Sequence, residues 1–265
     1  MGWGAAIHGW TVFLRAAGRA ETTIETRTSH IGHLGRAMRC GPWEVTGADL
    51  LAWTGGQTWA RETRRSVRAS VRGFYRWGME AGLISEDPST VLPAVTPGAP
   101  RPRPAPDEVY RRALAEADPR TRLILRLAGE AGLRRAEIAV IHSEDLQEDL
   151  VGWSLMVHGK GAKVRVVPLP THLGLELVHA GPGWVFPGEA GGHLSPRWVG
   201  KLAARALPDG WTLHTLRHRF ATAAYSVERD LLAVQQLLGH SSPATTQRYV
   251  AVDPDRLRRA MAGAA

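Results

Sequence analysis

Five prolines crowd the interval from Pro97 to Pro106, inside PAVTPGAPRPRPAP. Proline lacks a backbone donor and fixes φ, so no continuous helix or central strand can run through such a stretch. The stretch has no apolar period and reads as an extended linker over residues 93–106. The chain of 265 residues must therefore build two bodies, one from 1–92 and one from 107–265. The whole is long enough for substantial cores.

The first body reads as all-helical. Residues 4–17, about 20–38, about 46–53 and about 58–81 carry helical periodicity or start signals, with Thr46 and Asp49 placed to cap the third segment. In the fourth, Arg61, Arg65, Arg68, Arg72 and Arg76 recur every three or four residues and form one stripe, while Val67, Val71, Phe74 and Trp77 or Gly78 supply the apolar side. Such a stripe is commonly a solvated face. Its arginine density and scarcity of acids favour phosphate contact, as do Arg101 and Arg103 of the linker.

The second body places chemistry at several points. In AGLRRAE, Gly132 ends an apolar helix and Arg134 stands three residues before Glu137. That pair reads either as a surface ion pair or as a carboxylate orienting a guanidinium toward a phosphate. Trp153–Val157 and Val164–Leu169 read as two strands joined by a glycine-rich turn with Lys160 at its tip. Lys160 is then a solvated turn residue or a mobile ammonium entering a groove. In LHTLRHRFAT, His214 and Arg217 share one helical face. Leu231, Val234, Leu237 and Leu238 give a further helix stopped at Gly239. His240 follows that stop, and Pro243 opens a short helix carrying Tyr249. His214 and His218 have the spacing of some zinc helices, but no acidic residue completes an HExxH pattern. No metal and no cofactor are expected.

The blocks AGLRRAE, VHGKGAKVRVVPL, LHTLRHRFAT and LLGHSSPATTQRYV, in this order, resemble the signature blocks of the tyrosine recombinases, the phage-integrase family. The resemblance spans roughly residues 107–262. It implies a mainly α fold with a small β-sheet, in two domains: a helical core-binding domain and a mixed α/β catalytic domain. It implies that Arg134 and Arg217 clamp the scissile phosphate and that Glu137 supports the clamp. Lys160 would protonate the leaving 5′ oxygen, and His214 would assist proton transfer at the nucleophile. His240 would hydrogen-bond the phosphate, and Tyr249 would attack it. The expected activity is ATP-independent site-specific recombination of double-stranded DNA through a 3′-phosphotyrosine and a Holliday junction, as in phage integration. A chromosome-dimer or transposon recombinase, a type IB topoisomerase and a non-cleaving DNA-binding regulator are the alternatives. The implied assembly is a monomer when free and a homotetramer on core sites. An accessory DNA-bending or directionality protein and a C-terminal tail seated in a neighbouring subunit complete the expectation. About a hundred residues before the catalytic blocks leave no space for an added arm-binding domain.

Composition agrees with a polyanionic partner. The formal net charge is +8 and the isoelectric point is near 10.5. A single cysteine, Cys40, forbids an intrachain disulfide, and neither a secretory signal nor a membrane-spanning run is evident. The expected location is the nucleoid-associated cytoplasm of a bacterial host.

Overall fold

The computed structural model describes residues 1–98, 102–159, 163–189 and 191–239. Lys160, Arg101, His240, Tyr249 and the C-terminal tail lie outside the described residues. The chain forms two compact units, Met1–Ala99 and Pro100–Ala265.

The first unit contains four helices: α1 (Trp3–Ala16), α2 (Glu21–Ala37), α3 (Gly47–Gly55) and α4 (Arg61–Glu80). Thr46 and Asp49 form the expected capping box at α3. The core is aromatic. Phe74 on α4 stacks with Trp43 at 5.1 Å and meets Trp10 edge-on at 5.4 Å, geometries that suit ring quadrupoles. Ile24, Ile31 and Leu34 of α2 and Val67 and Val71 of α4 complete the seam.

The second unit opens before its first helix. The Ala105 backbone N–H donates to the Thr215 carbonyl at 3.1 Å and Ala105 is buried, so the end of the proline-rich stretch packs on the body it leads into. Helices α5 (Asp107–Glu116), α6 (Pro119–Gly129) and α7 (Arg135–Ala139) follow. A three-stranded antiparallel sheet comes next, β1 (Leu146–Glu148), β2 (Trp153–His158) and β3 (Val164–Leu169), in the order β1-β2-β3. Opposite residues on β2 and β3 run from Trp153 with Leu169 to His158 with Val164. Alternation buries Leu155, Val157, Val167 and Leu169 on one face. The final described helices are α8 (Thr171–His179), α9 (Pro196–Ala206), α10 (Leu213–Glu228) and α11 (Leu231–Leu238). Buried Ile124, Leu125 and Leu127 put α6 at the centre of the main core. Helix α11 rests on α10 through a separate small cluster of Ala221, Val234 and Leu238.

Candidate active site

The site begins with a chain reversal. Gly132 adopts φ +66°, and a side chain there would also run into the Phe220 ring. Glycine meets both demands. The Leu133 N–H returns to the Leu127 carbonyl at 3.0 Å, closing the turn after α6. Arg134 then sits extended at the start of α7. Its backbone N–H donates to Glu137 Oε2 at 2.8 Å and its Nη1 donates to Oε1 at 2.7 Å.

Glu137 is 4% exposed. Arg165 on β3 approaches it with a bidentate fork, Nη1 to Oε1 at 2.9 Å and Nη2 to Oε2 at 2.8 Å. Arg217 Nη1 stands 3.8 Å from Oε2. Burial pushes the carboxyl up, but the bonds from Arg165 and Arg134 outweigh it and hold Glu137 at about 2. The surface alternative for this pair does not hold: Glu137 is a buried hub whose oxygens fix the Arg134 backbone and guanidinium.

Thr212 caps α10 with Thr215, which places His214 in the first turn and Arg217 one turn deeper. Arg217 is 1% exposed. It donates from Nη1 to the Gly132 carbonyl and from Nη2 to the Leu238 carbonyl at 2.7 Å. His214 Nε2 lies 3.2 Å from His218 Nε2, with the rings nearly perpendicular. One imidazole must donate and the other accept, so both cannot be protonated in this contact. Burial first, then the charges of Arg217 and Arg134, hold His214 below the ordinary histidine range.

These groups open onto one cleft of about 770 Å³. Arg134, His214 and Arg217 line it together with Arg135, Arg197 and Lys201, while Gly200 and Ala204 keep its α9 wall low. Sequence reasoning missed the last three cations. For two of them the signal was present: Ser195 caps α9, Pro196 occupies its first turn, and Arg197 and Lys201 follow at i, i+4 spacing on one face. Arg165 was also missed, because a cation alternating along a strand looks like a solvated residue. Among the described residues no cluster of three or more histidine, cysteine, aspartate or glutamate side chains could hold a metal ion, and no helix is long and apolar enough to cross a membrane.

The arginines outside the cleft fall differently. On α4, Arg61, Arg65 and Arg76 are exposed and Arg68 and Arg72 half-buried. Arg65 pairs with Glu62 at 2.7 Å. Arg68 chelates the Leu92 carbonyl through Nε at 3.2 Å and Nη2 at 3.0 Å. Arg72 and Arg76 share a groove of about 310 Å³ with Arg19, Arg27, Phe13 and Trp77. Arg103 lies over the Trp211 ring at 4.6 Å.

The chain matches the phage integrase family model over residues 106–256. It is 35% identical over 219 residues to tyrosine recombinase XerC of Xanthomonas axonopodis pv. citri, covering 76% of this chain and 70% of that protein. The counterpart in Xanthomonas campestris is matched over 64% of its length. The fold is similar to that of a lambda integrase dimer bound to a COC′ core site, with a TM-score of 0.76 at 19% identity over 94% of this chain and 77% of that one. It is also similar to XerH bound to a difH substrate, with a TM-score of 0.67 at 19% identity over 90% and 78% of the two chains. The chain belongs to the phage integrase family, the site-specific tyrosine recombinases.

Proposed function

We propose that this chain cuts and rejoins double-stranded DNA at paired core sites, with Tyr249 as nucleophile and the α7–α9–α10 cleft as the phosphate pocket. The observation that carries this reading is the convergence of Arg134, His214 and Arg217, from two separate sequence blocks, on one cationic cleft. A phosphate there meets fixed guanidinium donors, the strongest kind of stabilisation for charge building on a phosphoryl group.

The step balances without a cofactor. The Tyr249 oxygen bonds to phosphorus as the bond to the 5′ oxygen breaks. Lys160 supplies a proton to that oxygen, His214 in its neutral form helps remove the phenolic proton, and His240 bonds the phosphate. The 3′-phosphotyrosyl link retains the bond energy, and a 5′ hydroxyl of the partner strand reverses the chemistry through a Holliday junction. Arg135, Arg197 and Lys201 extend the cationic wall to flanking phosphates. The helical unit adds phosphate contacts through Arg61, Arg65, Arg68, Arg72 and Arg76, and the linker adds them through Arg101 and Arg103. Tetrameric assembly on DNA belongs to this reading, as do a monomeric free state, an accessory bending or directionality protein, and action on DNA in a bacterial cytoplasm.

Two biological settings fit that chemistry. Integration and excision of phage DNA is the first. Chromosome-dimer resolution is the second, favoured by the 35% identity to XerC. A nicked duplex carrying the site that the chain selects from a random pool should trap a covalent adduct, and Tyr249→Phe should abolish it. An unchanged adduct in that variant would refute the assignment. Recombination between two copies of the selected site without added protein would favour the second setting, and dependence on a host bending protein the first.

A further inference from the structure

Arg165 has no task in the phosphoryl-transfer scheme, yet it joins three elements. From β3 it reaches both Glu137 oxygens, and its Nε donates to the Leu237 carbonyl at 2.9 Å. Leu237 belongs to the last turn of α11, where carbonyls lack helical partners and cations are favoured. The next carbonyl, Leu238, is taken by Arg217. The helix then stops at Gly239 in the left-handed conformation, φ 62° and ψ 47°. A Cβ on Gly239 would lie 2.9 Å from Arg165 Cδ. Two guanidiniums therefore hold the end of α11, and both are referred to the carboxylate that also orients Arg134. The apolar attachment of α11 is the cluster of Ala221, Val234 and Leu238 with Phe220, Ala224 and Tyr225 packed against it; the polar anchor adds directed bonds at its C-terminal end.

We propose that Arg165 is a positioning residue for strand cleavage: it fixes the point at which the chain leaves α11 toward His240 and Tyr249 in register with the phosphate clamp. This rests on the recombinase reading above. A lysine at 165 could keep the charge but has one nitrogen where Arg165 uses three, so it could not give the parallel pair to Glu137 and also reach the Leu237 carbonyl in this geometry. A displacement of about 1 Å at a reacting group costs roughly 10²-fold in rate. The effect should fall on nucleophilic attack, and the leaving oxygen should depart normally.

The test uses the full chain and the nicked duplex carrying its selected site. Arg165→Gln and Arg165→Lys should bind it within about threefold of the unaltered protein while adduct formation falls roughly 10²-fold. A second duplex with sulfur at the bridging 5′ position separates the steps, because a thiolate leaves without a donated proton. Sulfur should restore cleavage by Lys160→Ala and leave the Arg165 variants slow. Gly239→Ala, which presses on Arg165 without changing any charge, should reproduce the Arg165 pattern and serves if the Arg165 variants do not fold. Cleavage by folded Arg165→Gln or by Gly239→Ala within threefold of normal would overturn the proposal, as would full restoration by sulfur. An unaltered chain that forms no adduct at all would instead overturn the recombinase reading, and the proposal with it.

Discussion

The same residue type does two kinds of work in this chain. Around Glu137, Arg134, Arg165 and Arg217 are each tied to named oxygens and share its one carboxylate. On α4, Arg61, Arg65 and Arg76 project into solvent, and the ion pair of Arg65 with Glu62 is exposed on both sides. A preorganised guanidinium needs no rearrangement when charge develops on a phosphate, so it acts on rate. A solvated one gains affinity mainly by releasing counterions, so it acts on binding and its salt dependence. Arg68 stands between the two classes, on the stripe by position but committed to the Leu92 carbonyl.

The contrast can be broken first at Glu137. Glu137→Gln leaves buried arginines without their shared counter-charge, and chemical denaturation should report a loss of about 3–5 kcal/mol. Next comes Arg217→Lys, which keeps the charge but loses the fork. Cleavage should fall roughly 10²–10³-fold, while gel-shift affinity changes by less than about threefold; an equal loss of affinity would erase the distinction between the two arginine classes. Acid offers a third approach. Glu137 sits at about 2 against an ordinary value of 4.5, so its contribution is complete above pH 4.5 and fades as pH falls toward 2. His214, also depressed, adds stability that is present above 6.5 and lost as pH falls. Thermal melts should therefore drop on acidification, and Glu137→Gln should flatten the drop below pH 4.5. On the stripe, Arg65→Ala and Arg76→Ala should leave cleavage of bound DNA unchanged. Each should lower the slope of log affinity against log salt by about 0.9 if it meets a phosphate. The smallest effect belongs to Arg68→Ala: a stability loss of about 1 kcal/mol from the freed carbonyl, with a smaller fall in salt slope than at Arg65 or Arg76 because its fork is already engaged by Leu92.

Much of this was legible in the sequence, for local reasons. The four helices of the first unit follow from periodicity and the Thr46–Asp49 cap, and strands β2 and β3 from their β-branched and apolar content on either side of a glycine-rich segment. Arg134 with Glu137, and His214 with Arg217, were found because each pair is separated by a single helical turn. Arg165 was not found. Its partners at Glu137 and Leu237 are 28 and 72 residues away, and a carbonyl at a helix end leaves no mark on residue identity. The depth of Arg217 was equally hidden, since burial of an arginine depends on the three elements that surround it. The linker was read as extended over 93–106; what its sequence did not show is that Ala105 and Arg103 at its end meet the body that follows, through a backbone bond and a Trp211 stack. Arg197 and Lys201 were readable and were passed over because α9 carries no motif.

The shared carboxylate has a consequence for how such a site can vary over time. Because one carboxylate is shared by three guanidiniums, substitution at any corner changes the setting of the other members. Single steps away from the quartet lose either stability, at Glu137, or cleavage, at the arginines, so descendants should keep all four groups together or exchange them as a set. Variation is expected instead along the α4 stripe, where each arginine can drift alone and DNA affinity shifts in small increments.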